Sequence, residues 1–257
     1  MKVAIIGAGN MGGAIARGLA QGSLVKCHDI IVSDLSQDKL SQLQTDYPEV
    51  KTTTNNQKAV DEANLIFLVV KPWLVKSVLE ELHFPKDKVL ISVASGVEIK
   101  ELSEYLSVDI PIYRMIPNTA ISELAGVCLL SSSSAVSSEL THSILNVLNE
   151  MGMAMLIPES KLAAATALTS CGIAYVFKYV EASVKAGVEL GFSAQDSIRM
   201  ISQTIDGAAK ILLNNETHPS LEIDKVTTPG GITIKGINEL EHAGFVSAII
   251  RAIKASS

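Results

Sequence analysis

The chain has 257 residues, of which 47% are hydrophobic, so it can bury a large core and is long enough for two domains. Its net charge of −6, without a basic stripe interleaved with aromatic residues, argues against binding to nucleic acid. The three cysteines, Cys27, Cys128 and Cys171, fit neither a disulfide framework nor a metal site. The N-terminus does not resemble a signal peptide, and no run approaches the ~20 apolar residues that span a bilayer, so we expect a soluble cytoplasmic protein without a metal or a membrane partner.

The N-terminus predicts a nucleotide site. Val3–Ile6 fits a buried parallel strand and leads directly into Gly7–Ala8–Gly9–Asn10–Met11–Gly12, after which apolar residues recur at helical spacing. Between a strand and a helix, this G-x-G-x-x-G pattern is typical of dinucleotide binding, because the glycines allow a tight turn, close approach of a pyrophosphate, and packing of the helix on the strand. The residues predicted to contact the cofactor here are Gly7, Gly9, Asn10, Met11 and Gly12.

A second predicted strand, Ile30–Ser33, ends at Asp34. An acidic residue at this place commonly binds the ribose hydroxyls and favours NAD over NADP. Ser33 and Ser36, with Lys39 in reach, could instead bind a 2′-phosphate. Asp34 could also be a turn residue before the helix from Gln37. The sequence therefore leaves both NADH and NADPH open.

Alternating apolar runs and polar helical segments then predict a doubly wound parallel sheet, which is a Rossmann-like α/β fold. The further predicted strands are Leu65–Val70, Val89–Val93, Ile112–Ile116, Gly126–Leu130 and Met153–Ile157, with a loop at 131–134 and a helix at 138–152. Such sheets bind ligands at the carboxyl ends of their strands, where Lys71, Ser95, Asn118 and Thr119 are expected to face the crevice.

From Lys161 onwards the sequence is alanine-rich and helical without a clear strand, which predicts a dinucleotide-binding domain at 1–158 and an all-α domain at 159–257. We expect a helix interrupted near Ser170–Gly172, a capping box at Ser193–Asp196, and a short helix that begins at His218–Pro219. Helices this apolar need burial on more than one face, which predicts packing against a second subunit.

Near the end, Thr228–Thr233 contains Pro229, Gly230 and Gly231 and leads into apolar residues at helical spacing. A glycine turn that begins a helix presents unpaired N–H groups at the positive end of the helix dipole, which suits a carboxylate or phosphate; a plain helix cap is the alternative. No histidine stands out as a general acid, whereas the hydroxyl of Thr233 could donate or relay a proton there. A nucleotide site and an anion site together favour a reductase of a small anionic substrate, such as an imine.

These segments resemble the pyrroline-5-carboxylate reductase family, in order and over nearly the whole chain. The matching pieces are Gly7–Gly12, Val70–Pro72, Val93–Val97, Met115–Thr119, His218–Pro219, Thr227–Glu241 and Gly244–Phe245. The resemblance implies NAD(P)H-dependent reduction of the cyclic imine 1-pyrroline-5-carboxylate to L-proline, commonly with NADP in this family. It also implies a homodimer through the C-terminal helices, which in some members assembles into larger rings.

The resemblance further implies roles for individual residues. The substrate carboxylate is expected on the N–H groups of Gly230, Gly231 and Ile232 or Thr233, with the hydroxyl of Thr233 bonded to the ring nitrogen. Asn56 is expected beside the adenosine of the cofactor. The residues expected along the nicotinamide are Lys71, Pro72, Asn118 and Thr119, and those expected near the substrate are Cys171 and Gly172.

One segment departs from the family. Where the family usually reads Gly-Ser-Gly-Pro-Ala-Tyr, this chain reads Ser170–Tyr175, with Cys171 in place of the serine and Ile173 in place of the proline. Two alternatives stay open, the first because such enzymes also combine a glycine fingerprint with a helical domain, and the second because of this altered segment. One is a β-hydroxyacid dehydrogenase, for which Lys178 is the nearest candidate acid or base, and the other is a nucleotide-binding paralogue with weak or no reductase activity.

Overall fold

The computed structural model describes residues 1–134 and 136–257, which form two compact units, Met1–Ser170 and Cys171–Ser257. The division between these units lies after the boundary expected at 158. The reason is packing, since Leu162 is buried against Ile116 and Leu129 of the first unit. The chain therefore continues to contribute to the core of the first unit after it has become helical.

Eight strands of the described chain form one sheet in the order β3-β2-β1-β4-β5-β6-β7-β8. They are β1 Val3–Ile6, β2 Ile30–Ser33, β3 Lys51–Thr53, β4 Leu65–Leu68, β5 Val89–Ser92, β6 Ile112–Pro117, β7 Gly126–Ser132 and β8 Gly152–Leu156. The first six strands in chain order are parallel, which confirms the predicted Rossmann-like sheet. At one edge the sheet is not parallel throughout, since β7 is antiparallel to β6, and β8 is parallel to β7. The link between β6 and β7 is too short for the crossover that a parallel pair requires.

Helices cover both faces of the sheet because side chains alternate between faces along each strand. Ile5 and Phe67 pack on one face with helices α1, α2 and α6, whereas Ala4 and Ile66 pack on the other with α3, α4 and α5. The helices of this unit are α1 Asn10–Gln21, α2 Gln37–Asp46, α3 Asn56–Glu62, α4 Val75–Glu80, α5 Ile99–Tyr105, α6 Ser138–Asn149 and α7 Leu162–Ala165.

The remaining differences from the predicted elements have local physical causes. Strand β3 was missed because it is a short edge strand without an apolar run. Ser131 and Ser132 were predicted in a loop, but they extend β7 by pairing with β6. Gly152 was predicted to end a helix, but it begins β8 with φ +133°, and a Cβ there would lie 2.1 Å from the carbonyl oxygen of Gly126.

The second unit contains helices and, over its described residues, no strand, as predicted. Its helices are α8 Gly172–Glu189, α9 Ala194–Asn215, α10 Pro219–Val226, α11 Ile232–His242 and α12 Phe245–Ala255. Two predicted helix starts are present, since Ser193 Oγ accepts from the N–H of Asp196 at 3.0 Å and His218 Nδ1 accepts from the N–H of Ser220 at 3.3 Å.

The second unit has almost no interior in the single chain. Its one buried residue is Ser197, whereas Phe177 is 62% exposed, Leu213 is 74% exposed and Ile232 is 86% exposed. Apolar surface on this scale typically marks an interface with another protein.

The helical run Glu159–Glu189 contains the expected interruption as a π-helical turn at Thr166–Ser170. By length and composition alone this 31-residue run could cross a membrane, so the expectation that no stretch is apolar enough was wrong. One such helix is weak evidence for a membrane span, because helices of soluble proteins meet the same criterion.

Candidate active site

A cleft of about 750 Å³ lies at the carboxyl ends of β1, β2, β4, β5 and β6. Most of the residues predicted to bind the cofactor line this cleft. They are Gly7, Gly9, Asn10, Met11, Gly12, Ser33, Asp34, Asn56, Lys71, Pro72 and Ser95. The chain thus gathers residues from five strand ends at the place where doubly wound sheets bind ligands.

The glycine loop has no room for side chains at two of its three glycines. Gly7 has φ +103°, and a Cβ there would lie 2.4 Å from the carbonyl oxygen of Val69. A Cβ on Gly12 would lie 1.8 Å from the carbonyl oxygen of Gly7. Around Gly9 there is no heavy atom within 4 Å of the Cβ position. The loop is therefore packed tightly against the backbone at Gly7 and Gly12 and is open at Gly9, where α1 begins. An open face at the start of a helix suits the binding of a pyrophosphate.

Asp34 is tied to the glycine loop by its carboxylate. Its Oδ2 accepts from the N–H of Ala8 at 2.7 Å, and its Oδ1 accepts from the N–H of Ser36 at 2.8 Å. Lys39 Nζ lies 3.5 Å from Oδ2. Each carboxylate oxygen of Asp34 thus already accepts one hydrogen bond from a nearby backbone N–H. This geometry is typical of a turn residue, which is one of the two roles that the sequence left open for Asp34.

Ser33 and Asn56 form a polar pair in the wall of the cleft. The buried Ser33 donates from Oγ to Asn56 Oδ1 at 2.6 Å. Within the described chain the amide nitrogen of Asn56 has no hydrogen-bond partner, so it presents N–H donors to a ligand.

Asn118 and Thr119 do not line the cleft, in contrast to the prediction. Asn118 is 9% exposed, and its Oδ1 accepts from the N–H of Val127 at 3.4 Å. The reason is the antiparallel return of the chain after Pro117, which draws Asn118 into the connection between β6 and β7.

The sequence missed several residues of the cleft wall. Thr166 and Ser170 line it from the π-helical turn, and Ser170 Oγ donates to the carbonyl oxygen of Pro117 at 2.7 Å. Apolar residues of the wall were also missed, namely Leu35, Leu74 and Val78. The interrupted helix near Ser170 was the only sequence signal for the π-helical turn.

A buried ion pair supports two of these walls. Arg114 Nη1 lies 2.7 Å from Glu159 Oε1, and the side chain of Arg114 is 10% exposed. The same Glu159 oxygen accepts from the N–H of Ile99 at 2.9 Å, at the start of α5. The pair therefore joins β6 both to the loop that carries Ser95 and to the helical run that carries Thr166. In the sequence, the only indication of this ion pair was a single arginine inside the apolar Ile112–Ile116 run.

The glycine turn of the second unit has the predicted form with one correction. Gly230 has φ +74°, and Gly231 is the residue before α11. The N–H of Gly231 donates to the carbonyl oxygen of Thr228 at 2.9 Å, so it is used by the turn itself and is not free for an anion. Among the described residues, the N–H groups of Gly230, Ile232 and Thr233 have no partner, nor has the hydroxyl of Thr233.

Cys171 and Gly172 lie where α8 begins. Cys171 is half-buried, and a Cβ on Gly172 would have no heavy atom within 4 Å. The space beside Gly172 is therefore open. Over the described residues there is no group of three or more His, Cys, Asp and Glu side chains that could hold a metal ion.

The fold and the cleft define the class of protein. A glycine loop between a parallel strand and a helix, with polar side chains at the neighbouring strand ends, is the site of a dinucleotide-dependent oxidoreductase of the Rossmann type.

Comparison with known proteins identifies the family. Residues 159–257 match the family model for pyrroline-5-carboxylate reductase dimerisation, and residues 2–96 match that for coenzyme F420-dependent NADP oxidoreductase. Pyrroline-5-carboxylate reductase 2 of Dictyostelium discoideum is 35% identical over 100% of this chain and 91% of its own length. Reductase 1 of that organism is 37% identical over 99% of this chain, which spans 48% of that longer relative.

A solved structure agrees with these relatives. The crystal structure of Plasmodium falciparum pyrroline carboxylate reductase with NADP bound has a TM-score of 0.88 and 27% identity, and the match covers 100% of this chain and 95% of that one. The chain belongs to the pyrroline-5-carboxylate reductase family. The β-hydroxyacid dehydrogenase alternative is not favoured.

Proposed function

We propose that this protein reduces 1-pyrroline-5-carboxylate to L-proline with a reduced nicotinamide dinucleotide. The observation that carries the proposal is the turn before α11, which leaves three N–H groups and the hydroxyl of Thr233 without partners in the described chain. A carboxylate needs N–H donors, and an imine nitrogen needs a proton donor or acceptor beside it. Membership of the family supports the same substrate.

The residues that would hold the cofactor are those of the cleft. The open face at Gly9 and the first turn of α1 would take the pyrophosphate, and Asn56 would donate to the adenosine end. Lys71, Pro72 and Ser95 would lie along the nicotinamide. When bound, the cofactor supplies a hydride to the carbon of the C=N bond.

The protein supplies orientation and charge. The N–H groups of Gly230, Ile232 and Thr233 would hold the substrate carboxylate at the positive end of α11. The hydroxyl of Thr233 would bond to the ring nitrogen, which carries a proton and becomes the secondary amine of proline as the hydride arrives. Cys171 and Gly172 would form part of the substrate wall.

We further propose a homodimer through the second unit. Two observations support it: the exposed apolar side chains of this unit, which a second copy would bury, and the match of residues 159–257 to a dimerisation domain. A cytoplasmic location stays a prediction.

The assay mixes purified protein with 1-pyrroline-5-carboxylate and either NADH or NADPH, and follows the loss of nicotinamide absorbance. Turnover is expected, and its absence with both cofactors would disprove the proposal in favour of the inactive paralogue. Turnover of a hydroxyacid instead would favour the dehydrogenase alternative.

Thr233→Val tests the role of the hydroxyl, since it removes the oxygen and keeps the shape. We expect kcat to fall about a hundredfold while the Kd of the nucleotide is unchanged. Thr233→Ser, which keeps the hydroxyl, is the matched control and should retain most activity. Equal losses in both variants would show that Thr233 is structural.

A further inference from the structure

One hydroxyl ties the π-helical turn at Thr166–Ser170 to the sheet. Ser170, the last residue of the turn, donates from Oγ to the carbonyl oxygen of Pro117 at 2.7 Å. Pro117 is the last residue of β6, and because a proline has no N–H, its carbonyl is its one backbone group for a hydrogen bond. The bond therefore joins the end of β6 directly to the end of the turn.

The other two hydroxyls of the turn bond within their own helical run. Thr166 Oγ1 donates to the carbonyl oxygen of Leu162 at 2.7 Å, and Thr169 Oγ1 donates to that of Ala165 at 2.8 Å. Such bonds to a carbonyl four residues earlier shape the helix but do not fix its place in the protein. Among the described residues, Ser170 is thus the one member of the turn whose side chain bonds to another element.

The turn forms one wall of the cofactor cleft. Thr166 and Ser170 line this cleft together with Pro117 at the end of β6 and Ser95 after β5, and all four belong to the first unit. Ser95 is expected along the nicotinamide, so the turn faces the end of the cleft from which the hydride is transferred.

Packing alone does not fix the position of this wall. Ala167 is buried and holds the back of the turn against the first unit, but apolar contact has no directional requirement. A π-helical turn also interrupts the regular bonds of the helix, and such turns occur frequently at functional sites. The hydrogen bond of Ser170 supplies the missing direction, because it requires both a short distance and a defined angle at Pro117.

We propose that Ser170 is a positioning residue for the reduction, which acts by holding the turn and the hydroxyl of Thr166 in place at the nicotinamide end of the cleft. Ser170 stands where the family pattern has glycine, which has no side chain for this bond, so the tie is a feature of this chain. The inference rests on the proposed function, because the step that it concerns is the hydride transfer.

Ser170→Ala removes the tie and should separate turnover from binding. A reacting group that moves by about 1 Å can lose about a hundredfold in rate, and we expect kcat to fall about tenfold because the burial of Ala167 remains. The Kd of the nicotinamide dinucleotide should be unchanged, since the glycine loop and Asn56 hold its other end. Steady-state kinetics and a binding titration of the intact protein measure the two quantities. Ser170→Thr keeps the hydroxyl and should retain most of kcat.

Thr169→Val is the matched control. Thr169 is the neighbouring residue, it is half-buried like Ser170, and its hydroxyl makes a bond of 2.8 Å, which compares with 2.7 Å for Ser170. It does not line the cleft, and its bond stays within the helical run. This variant should therefore keep the native kcat.

Hydrogen exchange measures the tie without turnover. In Ser170→Ala the backbone amides of residues 166–170 should exchange about twofold to tenfold faster than in the native protein, because one hydrogen bond is lost. In Ser170→Thr their exchange should be native.

The outcomes separate this inference from the proposed function. A native protein without turnover would refute the proposed function, whereas turnover in the native protein with an unchanged kcat in Ser170→Ala would overturn the inference. Equal losses of kcat in Ser170→Ala and Thr169→Val would overturn it as well, and so would unchanged exchange of residues 166–170 in Ser170→Ala.

Discussion

At the scale of single residues, glycine is required at the three positions of the fingerprint for different physical reasons. Gly7 and Gly12 are required by the protein itself, since a Cβ on either would overlap a carbonyl oxygen of the chain. Gly9 is different, because the space around it is open and only a ligand would fill it. The same motif therefore contains both folding and binding constraints.

This difference predicts opposite results for two alanine substitutions. Gly12→Ala should lower the free energy of unfolding by about 1–3 kcal/mol, because the new methyl group forces the loop to move. Gly9→Ala should leave that free energy nearly unchanged and weaken binding of the nicotinamide dinucleotide, because the methyl group occupies the space proposed for the pyrophosphate. Chemical denaturation and a binding titration measure the two effects. Similar losses of stability in both variants would contradict this account.

At the scale of elements, the Arg114–Glu159 pair connects β6, the start of α5 and the helical run that begins at Glu159. Arg114→Met leaves Glu159 bonded to the N–H of Ile99 without its cation, and Glu159 is only 33% exposed. Removing one partner of a buried pair costs about 3–5 kcal/mol, and we expect about 2–3 kcal/mol here because Glu159 is partly solvated. We also expect kcat/KM to fall, since the loop with Ser95 and the turn with Thr166 are both anchored through this pair.

Stability and activity can be separated at this pair. Glu159→Gln keeps an acceptor oxygen for both the N–H of Ile99 and the guanidinium of Arg114, whereas Arg114→Met removes the bond between the two side chains altogether. Glu159→Gln should therefore lose less of both quantities. If kcat/KM per folded molecule is native in Arg114→Met, the pair serves stability alone.

Glu150 connects the ends of two helices. It follows α6, and its carboxylate accepts from the N–H groups of Ser23 and Leu24 and from the hydroxyl of Ser23, just after α1. Burial opposes ionisation, but these hydrogen bonds outweigh it and lower the pKa of Glu150 below its ordinary value.

The lowered pKa of Glu150 determines in which direction its contribution to stability changes with pH. Since the pKa is lower in the folded state, the stabilisation is present above the pKa of unfolded glutamate, about 4.3, and is lost as pH falls through the folded value. Glu150→Gln should therefore be less stable than the native chain at pH 7, and the difference should shrink below about pH 4. The exposed Glu49→Gln is the control in the same denaturation series. A difference that stays constant with pH would be evidence against this role.

At the scale of the whole molecule, the second unit is the part that leaves most of its large apolar side chains exposed in the single chain. Burial of its apolar side chains requires a partner, and the match of residues 159–257 to a dimerisation domain supports a second copy of the chain.

We expect analytical ultracentrifugation to give a dimer or a multiple of it. Phe177→Glu should shift the chain towards monomer and lower its Tm, because a charge replaces a side chain whose burial contributes about 1.5–3 kcal/mol. Lys178→Glu, at a neighbouring polar position, should keep the native size. A native chain that sediments as a monomer at micromolar concentration would refute the proposed homodimer.

The sequence determined the apolar strands and the glycine loop because these depend on local pattern, whereas the short edge strand β3 has no such pattern. An apolar run such as Leu65–Leu68 is buried wherever it folds, and the spacing of Gly7, Gly9 and Gly12 already specifies a turn between strand and helix. The helical second unit and its need for a partner followed from composition in the same way.

Tertiary structure decided everything that depends on residues far apart in the chain. It made β7 antiparallel to β6, bonded the N–H of Ala8 to Asp34, and paired Arg114 with Glu159. None of these follows from periodicity, because hydrogen bonds and charges are assigned partners only when the packed elements bring them within reach. The sequence therefore determined the kind of site, and the tertiary structure decided which atoms remain available in it.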